Sequence, residues 1–186
     1  EIAATIAFSA IQNNDKIGVI FFSDHVEKFI PPKKGRKHIL YIIRELLDFH
    51  AESARTDIGM AAQYLTQALK RRCTAFLISD FIDQRDFRQP LTIANRKHDV
   101  VAIQVYDQRI QDLPDVGLMK VRDAETGYER FIDTSDHRMR EAQHRWWRER
   151  SEYLRDTFSR SNIDSVSIRT DQDYVSALLT LFAKRG

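Results

Sequence analysis

The segment AFLISDFID (residues 75–83) drives an apolar run, Ala75 to Ile78, straight into Ser79-Asp80 before the chain turns apolar again at Phe81. A continuous apolar run marks a strand covered on both faces. A carboxylate at its end either caps a turn or faces the carboxyl edge of a sheet, where open α/β sheets bind ligands. Two further runs have the same character, KIGVIFFSD (16–24) and DVVAIQVYD (99–107), so three strands end on aspartate: Asp24, Asp80 and Asp107.

Helical spacing of apolar residues fills the intervals between these strands. It predicts helices over 2–12, over 35–48, from Thr56-Asp57 through Leu69, and over 86–98, the last with an imperfect interior at Pro90. HVEKFIPP (25–32) reads as a short edge strand stopped by Pro31-Pro32. LMKVRDAETGYERFIDT (118–134) reads as two short strands about a turn at 124–127, a β-hairpin inserted near 118–132. A long helix over 136–160, a strand over 164–171 and a closing helix complete the chain. Strands alternating with helices predict an α/β fold of three layers, a mostly parallel sheet with helices on both faces.

Composition narrows the chemistry. The chain has 186 residues, 42% hydrophobic and 30% charged, with a net charge of +2, and reads as one globular domain. A single cysteine, Cys73, excludes an internal disulfide and argues against a zinc cluster. It also suits a reducing cytoplasm, which is the expected location. No apolar run reaches the length of a bilayer, and no signal peptide is present. The chain opens inside a helix without an initiator methionine, so the natural start is expected upstream, and the lack of targeting signals describes this segment alone. His25, His38, His50, His98, His137 and His144 lack metal-binding spacing, and the six glycines form no phosphate-binding loop.

At the carboxyl edge, Thr56 and the three aspartates offer hydroxyl and carboxylate oxygens suited to a hard cation. The same residue types are also ordinary caps of turns and helices. The run DKIGVIFFSD, TDIGMAAQYL and AFLISDF resembles the von Willebrand factor A domain. That family builds a metal-ion-dependent adhesion site from a D-x-S-x-S loop, a threonine of a second loop and an aspartate of a third. Carried over by position, Thr56 matches the threonine and Asp80 the aspartate, whereas Asp24 follows the family's second strand and is no ligand. The D-x-S-x-S loop and the first strand are missing from residues 1–186 and are expected before Glu1. By the resemblance, that strand lies between the 16–23 and 73–79 strands.

NNDKIGVIFFSD, IPPKKG, LISDFID, DLPDVGLMKVRDAETG and LTLFAKRG together resemble an uncharacterised bacterial family with a von Willebrand A-like core, encoded beside MoxR-type AAA+ ATPases. The Asp123 to Gly127 turn is the most telling of these pieces, because the general A domain does not require it. The resemblance implies a non-enzymatic protein-interaction module, accessory to such an ATPase. It also implies a partial site for Mg or Mn at Thr56 and Asp80, with no tight binding by residues 1–186 alone.

Two other classes stay open. One is a divalent-metal-dependent phosphoryl-transfer or hydrolytic enzyme using Asp80 with Asp83 or Asp107, which would need a nucleophile or general base near the ion. The other is a nucleic-acid binder through the 137–155 helix, where six arginines accompany Trp146 and Trp147. Against it, Met139, Ala142, Trp146, Tyr153 and Leu154 form a packing stripe, and Arg145–Glu149 and Arg148–Glu152 are spaced to pair on a solvated face.

Overall fold

The computed structural model describes residues 1–185. Helix α1 (Ile2–Gln12) leads into the antiparallel pair β1 (Ile17–Phe22) and β2 (Val26–Lys33). Helices α2 (Arg36–Asp48) and α3 (Ile58–Ala68) follow, then β3 (Thr74–Ser79), α4 (Arg88–Lys97) and β4 (Asp99–Tyr106). A short α5 (Gln108–Gln111) precedes the hairpin β5 (Leu118–Arg122) and β6 (Glu129–Asp133). The long α6 (His137–Arg160), β7 (Asp164–Arg169) and α7 (Tyr174–Ala183) close the chain. The α/β class and the inserted hairpin agree with the sequence reading.

Strands β3, β4 and β7 form a parallel sheet with β4 at its centre. Buried from Val100 to Gln104, β4 is covered above and below, as its unbroken apolar run requires. Alternation along the strands then assigns the layers. Ile103 and Ile168 meet Leu178 of α7 and Ile2 and Ile6 of α1 on one face. Val100 and Ala102 meet α3, α4 and α6 through Ile58, Leu91, Leu154 and Phe158 on the other. Helix α2 packs beside α1 and covers β1 with Ile42 and Leu46.

Direct pairing of β1 with β3, one way to compensate for a missing strand, does not occur: β1 bonds only to β2, and β3 only to β4. The two strands nevertheless run the same way. Ser23, just after β1, accepts the Asp57 N–H at 2.9 Å, and Asp83, just after β3, accepts the Ile58 N–H at 2.9 Å. Both strands therefore end at the start of α3.

Three local expectations are corrected. The first concerns Pro31-Pro32, which does not stop β2. The strand continues to Lys33, and the register slips between Ile17↔Lys33 and Val19↔Ile30. One extra residue on β2 makes a bulge there, and an edge strand tolerates the missing proline donors. Gly18 lies opposite: a Cβ on it would sit 2.6 Å from the Ile30 oxygen and 2.8 Å from the Pro32 nitrogen. The second concerns Pro90, which is the third residue of α4 and lies in its first turn, where an N–H has no helical acceptor to lose.

The third concerns α6, whose buried residues are Trp147, Leu154, Thr157 and Phe158; Met139, Ala142 and Trp146 are exposed, Trp146 at 41%. Trp147 packs on Tyr106 at the end of β4, ring centroids 4.7 Å apart, and this fixes which face of the helix turns inward. Neither Arg145–Glu149 nor Arg148–Glu152 forms an ion pair among the described residues; within α6 the pairs join Arg160 to Asp156 and His137 to Glu141, and Arg140 and His144 reach out to Asp115 and Asp112.

The Asp123 turn is built by its own hydrogen bonds. Asp123 Oδ1 accepts the Glu125 and Thr126 N–H groups at 3.0 and 2.7 Å and the Thr126 hydroxyl at 2.8 Å. Gly127 supplies the positive φ of 69°. The bonds from Thr126 hold the Asp123 carboxyl below its usual range.

Substituting Gly18→Ala should lower stability by about 1–3 kcal/mol, because backbone rather than a flexible side chain blocks the new methyl. Urea denaturation of the wild type and the variant checks this.

Candidate functional site

The carboxyl ends of β1, β3 and β4, with the start of α3, form one edge of the fold. Its architecture begins at Asp83, 4% exposed. One carboxylate oxygen accepts the Ile58 N–H and the other accepts the Arg85 N–H, both at 2.9 Å. The loop after β3 is thereby fastened to the first residue of α3. Asp57 caps α3 by accepting the Met60 N–H at 2.8 Å, and it pairs with Arg85 at 2.5 Å. The β3 loop and the α3 start are thus joined twice.

Arg150 of α6 closes the same loop from the helix layer. One terminal nitrogen donates to the Phe81 and Asp83 carbonyl oxygens, the latter at 2.9 Å. The guanidinium stacks over Phe87 and Tyr153, 5.9 and 5.2 Å from the ring centroids. Burial lowers the pKa of this guanidinium, opposed by Tyr153 and by the carboxylates of Asp83 and Asp80. Phe81 adopts φ 58°, unusual for a bulky residue, with its ring fully buried against Phe87 and Phe158. The reversal sends Phe81 into the core and leaves its neighbour Asp80 in solvent.

Thr56 and Asp80 consequently lie on adjoining loops. Thr56 stands two residues before the Ile58 donor, and Asp80 three before the Asp83 acceptor. Asp80 is exposed; its Oδ1 accepts the Ile82 N–H at 3.0 Å, and its carbonyl accepts from Gln104 Nε2 at 3.3 Å. Thr56 is half-buried. Among the described residues, no group of three or more His, Cys, Asp or Glu side chains could hold a metal ion. The residues present do not by themselves make a complete ion site.

The other acidic candidates have structural duties. Asp107 caps α5 through the Arg109 N–H at 2.7 Å. Asp24 bonds His25 Nδ1 at 2.9 Å. That bond holds the Asp24 carboxyl below its usual range and raises the His25 imidazole above it. Cys73 is not activated: burial raises its thiol, although His98 Nδ1 lies 3.5 Å away. His98 is itself fully buried.

Sequence reasoning passed over the Arg150 clamp, since Arg150 stood among exposed arginines of a basic helix. It weighed Asp83 only as a ligand. The available signal was the spacing of Asp80 and Asp83 about an apolar pair, the pattern of a turn that buries one carboxylate and exposes the other.

Asp83→Ala should cost about 2–4 kcal/mol, since two backbone donors lose a charged acceptor, one of them on buried Ile58. Chemical denaturation measures it, and Asp83→Asn should recover part of the loss. His25 should titrate above 6.5, and Asp24→Asn should bring its midpoint down, as followed by NMR. Because the folded-state imidazole pKa is the raised one, the His25–Asp24 bond supports the fold below about pH 6.5 while Asp24 stays ionised, fades as pH climbs through the higher, folded His25 value, and is lost at acid pH as the Asp24 carboxyl protonates.

Residues 1–153 match the family described as "Protein of unknown function DUF58". An uncharacterized protein of Mycobacterium tuberculosis is 30% identical over 190 residues, covering 98% of this chain and 58% of the relative. An uncharacterized protein of Mycobacterium avium is 29% identical over 164 residues, covering 84% of this chain and 93% of the relative. The chain thus spans little more than half the length of the first of these. Two solved structures share its fold. The conserved hypothetical protein BatB of Bacteroides thetaiotaomicron superposes with a TM-score of 0.59 at 15% identity, over 99% of this chain and 86% of that one. An aerotolerance-related membrane protein of Bacteroides fragilis gives 0.60 at 14% identity, over 98% and 87%. With its match running from the first residue through most of α6, the chain belongs to the DUF58 family.

Proposed function

We propose that this chain is a non-enzymatic protein-interaction module of the von Willebrand A type, working in the cytoplasm as an accessory to a MoxR-type AAA+ ATPase. Its recognition edge is the one carrying Thr56 and Asp80. The observation behind this reading is the clamped loop: Asp83 and Arg150 spend buried hydrogen bonds holding a segment whose outward product is one exposed carboxylate. A rigid edge presenting oxygen ligands suits a divalent ion, Mg or Mn, that is completed by a partner's carboxylate.

The separate β1–β2 and β3–β4–β7 sheets support the same reading. A strand preceding Glu1 would fit between β1 and β3, satisfy both edges and carry further ligands to the loops around Asp80. Relatives longer than this chain are compatible with such a segment. The hydrolytic alternative loses ground because Asp83 and Asp107, its second carboxylates, are engaged by backbone donors.

Calorimetric titration with Mg²⁺ and Mn²⁺ tests the site. Residues 1–186 should bind weakly or not at all. A version extended upstream by one strand and its loop should bind, and Asp80→Ala should abolish that binding. If the extended protein binds neither ion, Thr56 and Asp80 only shape the loops. Turnover of phosphoesters that vanishes in Asp80→Ala would replace the interaction reading with the enzymatic one.

A further inference from the structure

The edge of the fold opposite Asp80 has a distinct charge pattern. Lys16 precedes β1, Lys33 ends β2, Lys34 follows, and Arg36 and Lys37 open α2. The pairing Ile17↔Lys33 brings the β1 start and the β2 end together. His38 of α2 is tied to the Ile17 carbonyl at 2.9 Å, so the first turn of α2 joins them. Lys70, Arg71 and Arg72 lie between the end of α3 and the start of β3. Because β1 and β3 run the same way, these three share that edge.

All eight side chains belong to exposed residues, and none has a carboxylate within 4.0 Å among the described residues. Three carboxylates lie at the same edge: Asp99 and Asp164 are both engaged by Arg185, and Asp15 stands beside Lys16, so eight cations outnumber one uncompensated carboxylate there. The net charge is only +2, so the molecule is polarised, basic at the strand starts and carboxylate-bearing at the strand ends. Local stability does not account for the pattern. Arg36 and Lys37 occupy the first turn of α2, where the helix dipole favours anions and no acidic residue is present.

We propose that this basic edge seats the protein on an anionic phospholipid surface. Five of the eight cations are lysines, compact charges suited to a dense layer of headgroup phosphates rather than forks that read base edges. Exposed apolar groups adjoin them: Leu40 and Tyr41 one turn into α2, and Phe182 at the end of α7, where Arg185 meets Asp99. Cations beside partly exposed aliphatic and aromatic side chains fit a bilayer interface. Seated this way, the Asp80 edge faces away from the lipid.

Vesicle flotation tests the proposal. The 186-residue chain should float with vesicles containing phosphatidylglycerol and not with phosphatidylcholine alone, and high salt should release it. The combined variant Lys33→Gln, Lys34→Gln, Arg36→Gln and Lys37→Gln alters only exposed positions. It should keep the wild-type melting temperature and lose up to about 1,000-fold in partitioning, following the strength of four single charges near such a surface. Arg145→Gln with Arg148→Gln on α6 should leave partitioning unchanged. The proposal is overturned if the wild type does not float with anionic vesicles at low salt, or if the quadruple variant floats as well as the wild type. Tighter binding to duplex DNA than to the vesicles at the same salt, with the same sensitivity to the quadruple variant, overturns it in favour of nucleic acid.

Discussion

The Asp83 carboxylate is the constraint on which the strand-end edge of the sheet depends. It is buried, and its two oxygens serve two backbone donors, one on α3 and one on its own loop. A buried carboxylate without those donors would be costly, and the donors without it would be orphaned. The two requirements satisfy each other only when the β3 loop lies against the α3 start. Arg150 adds the third side by reaching from α6 to carbonyls of the same loop. Three elements distant in sequence are thereby held at one point, and the positive φ of Phe81 is imposed by that geometry rather than by local preference.

Around this point the protein separates its tasks. Apolar side chains of β4 and its flanking helices supply the core, and the strand ends carry the polar chemistry. The divided sheet belongs to the same design. Strand β4, paired on both edges, is fully covered at its centre, whereas β1 and β3, each paired on one edge, remain largely half-exposed. Charge follows the sheet direction as well: carboxylates collect where strands end, and unpaired lysines and arginines where they begin. On the readings proposed here, two opposed surfaces of different chemistry would let one small domain be held at one edge and read at the other.

The sequence was a good guide to elements and a poor one to side-chain duty. Continuous apolar runs located β1, β3 and β4, and helical spacing located α1 to α4 and α6, because burial on two faces and burial on one stripe leave different periodicities. Periodicity failed where a single contact chose among nearly equivalent faces. Trp146 and Trp147 are adjacent and equally apolar, and only packing on Tyr106 decided which enters the core. Arg150 resembled its neighbours on a basic helix, and only the carbonyls presented by the Phe81 loop set it apart. For the candidate site, the positions of Thr56 and Asp80 on one edge were legible from strand and helix order. The Arg150 clamp behind them was not, since it joins residues 67 or more positions apart.

Composition and pattern by themselves determined the α/β class, the element order and the gathering of aspartates at one sheet edge, since these follow from chain-local periodicity and from the polarity of parallel strands. Tertiary structure alone decided which aspartate is buried and which is free. It also decided that the prolines ride through β2 on a bulge, and that β1 and β3 do not pair with each other. Each of these rests on a hydrogen-bond partner or a backbone contact supplied from a separate part of the chain, and no local signal encodes a partner that only folding brings near.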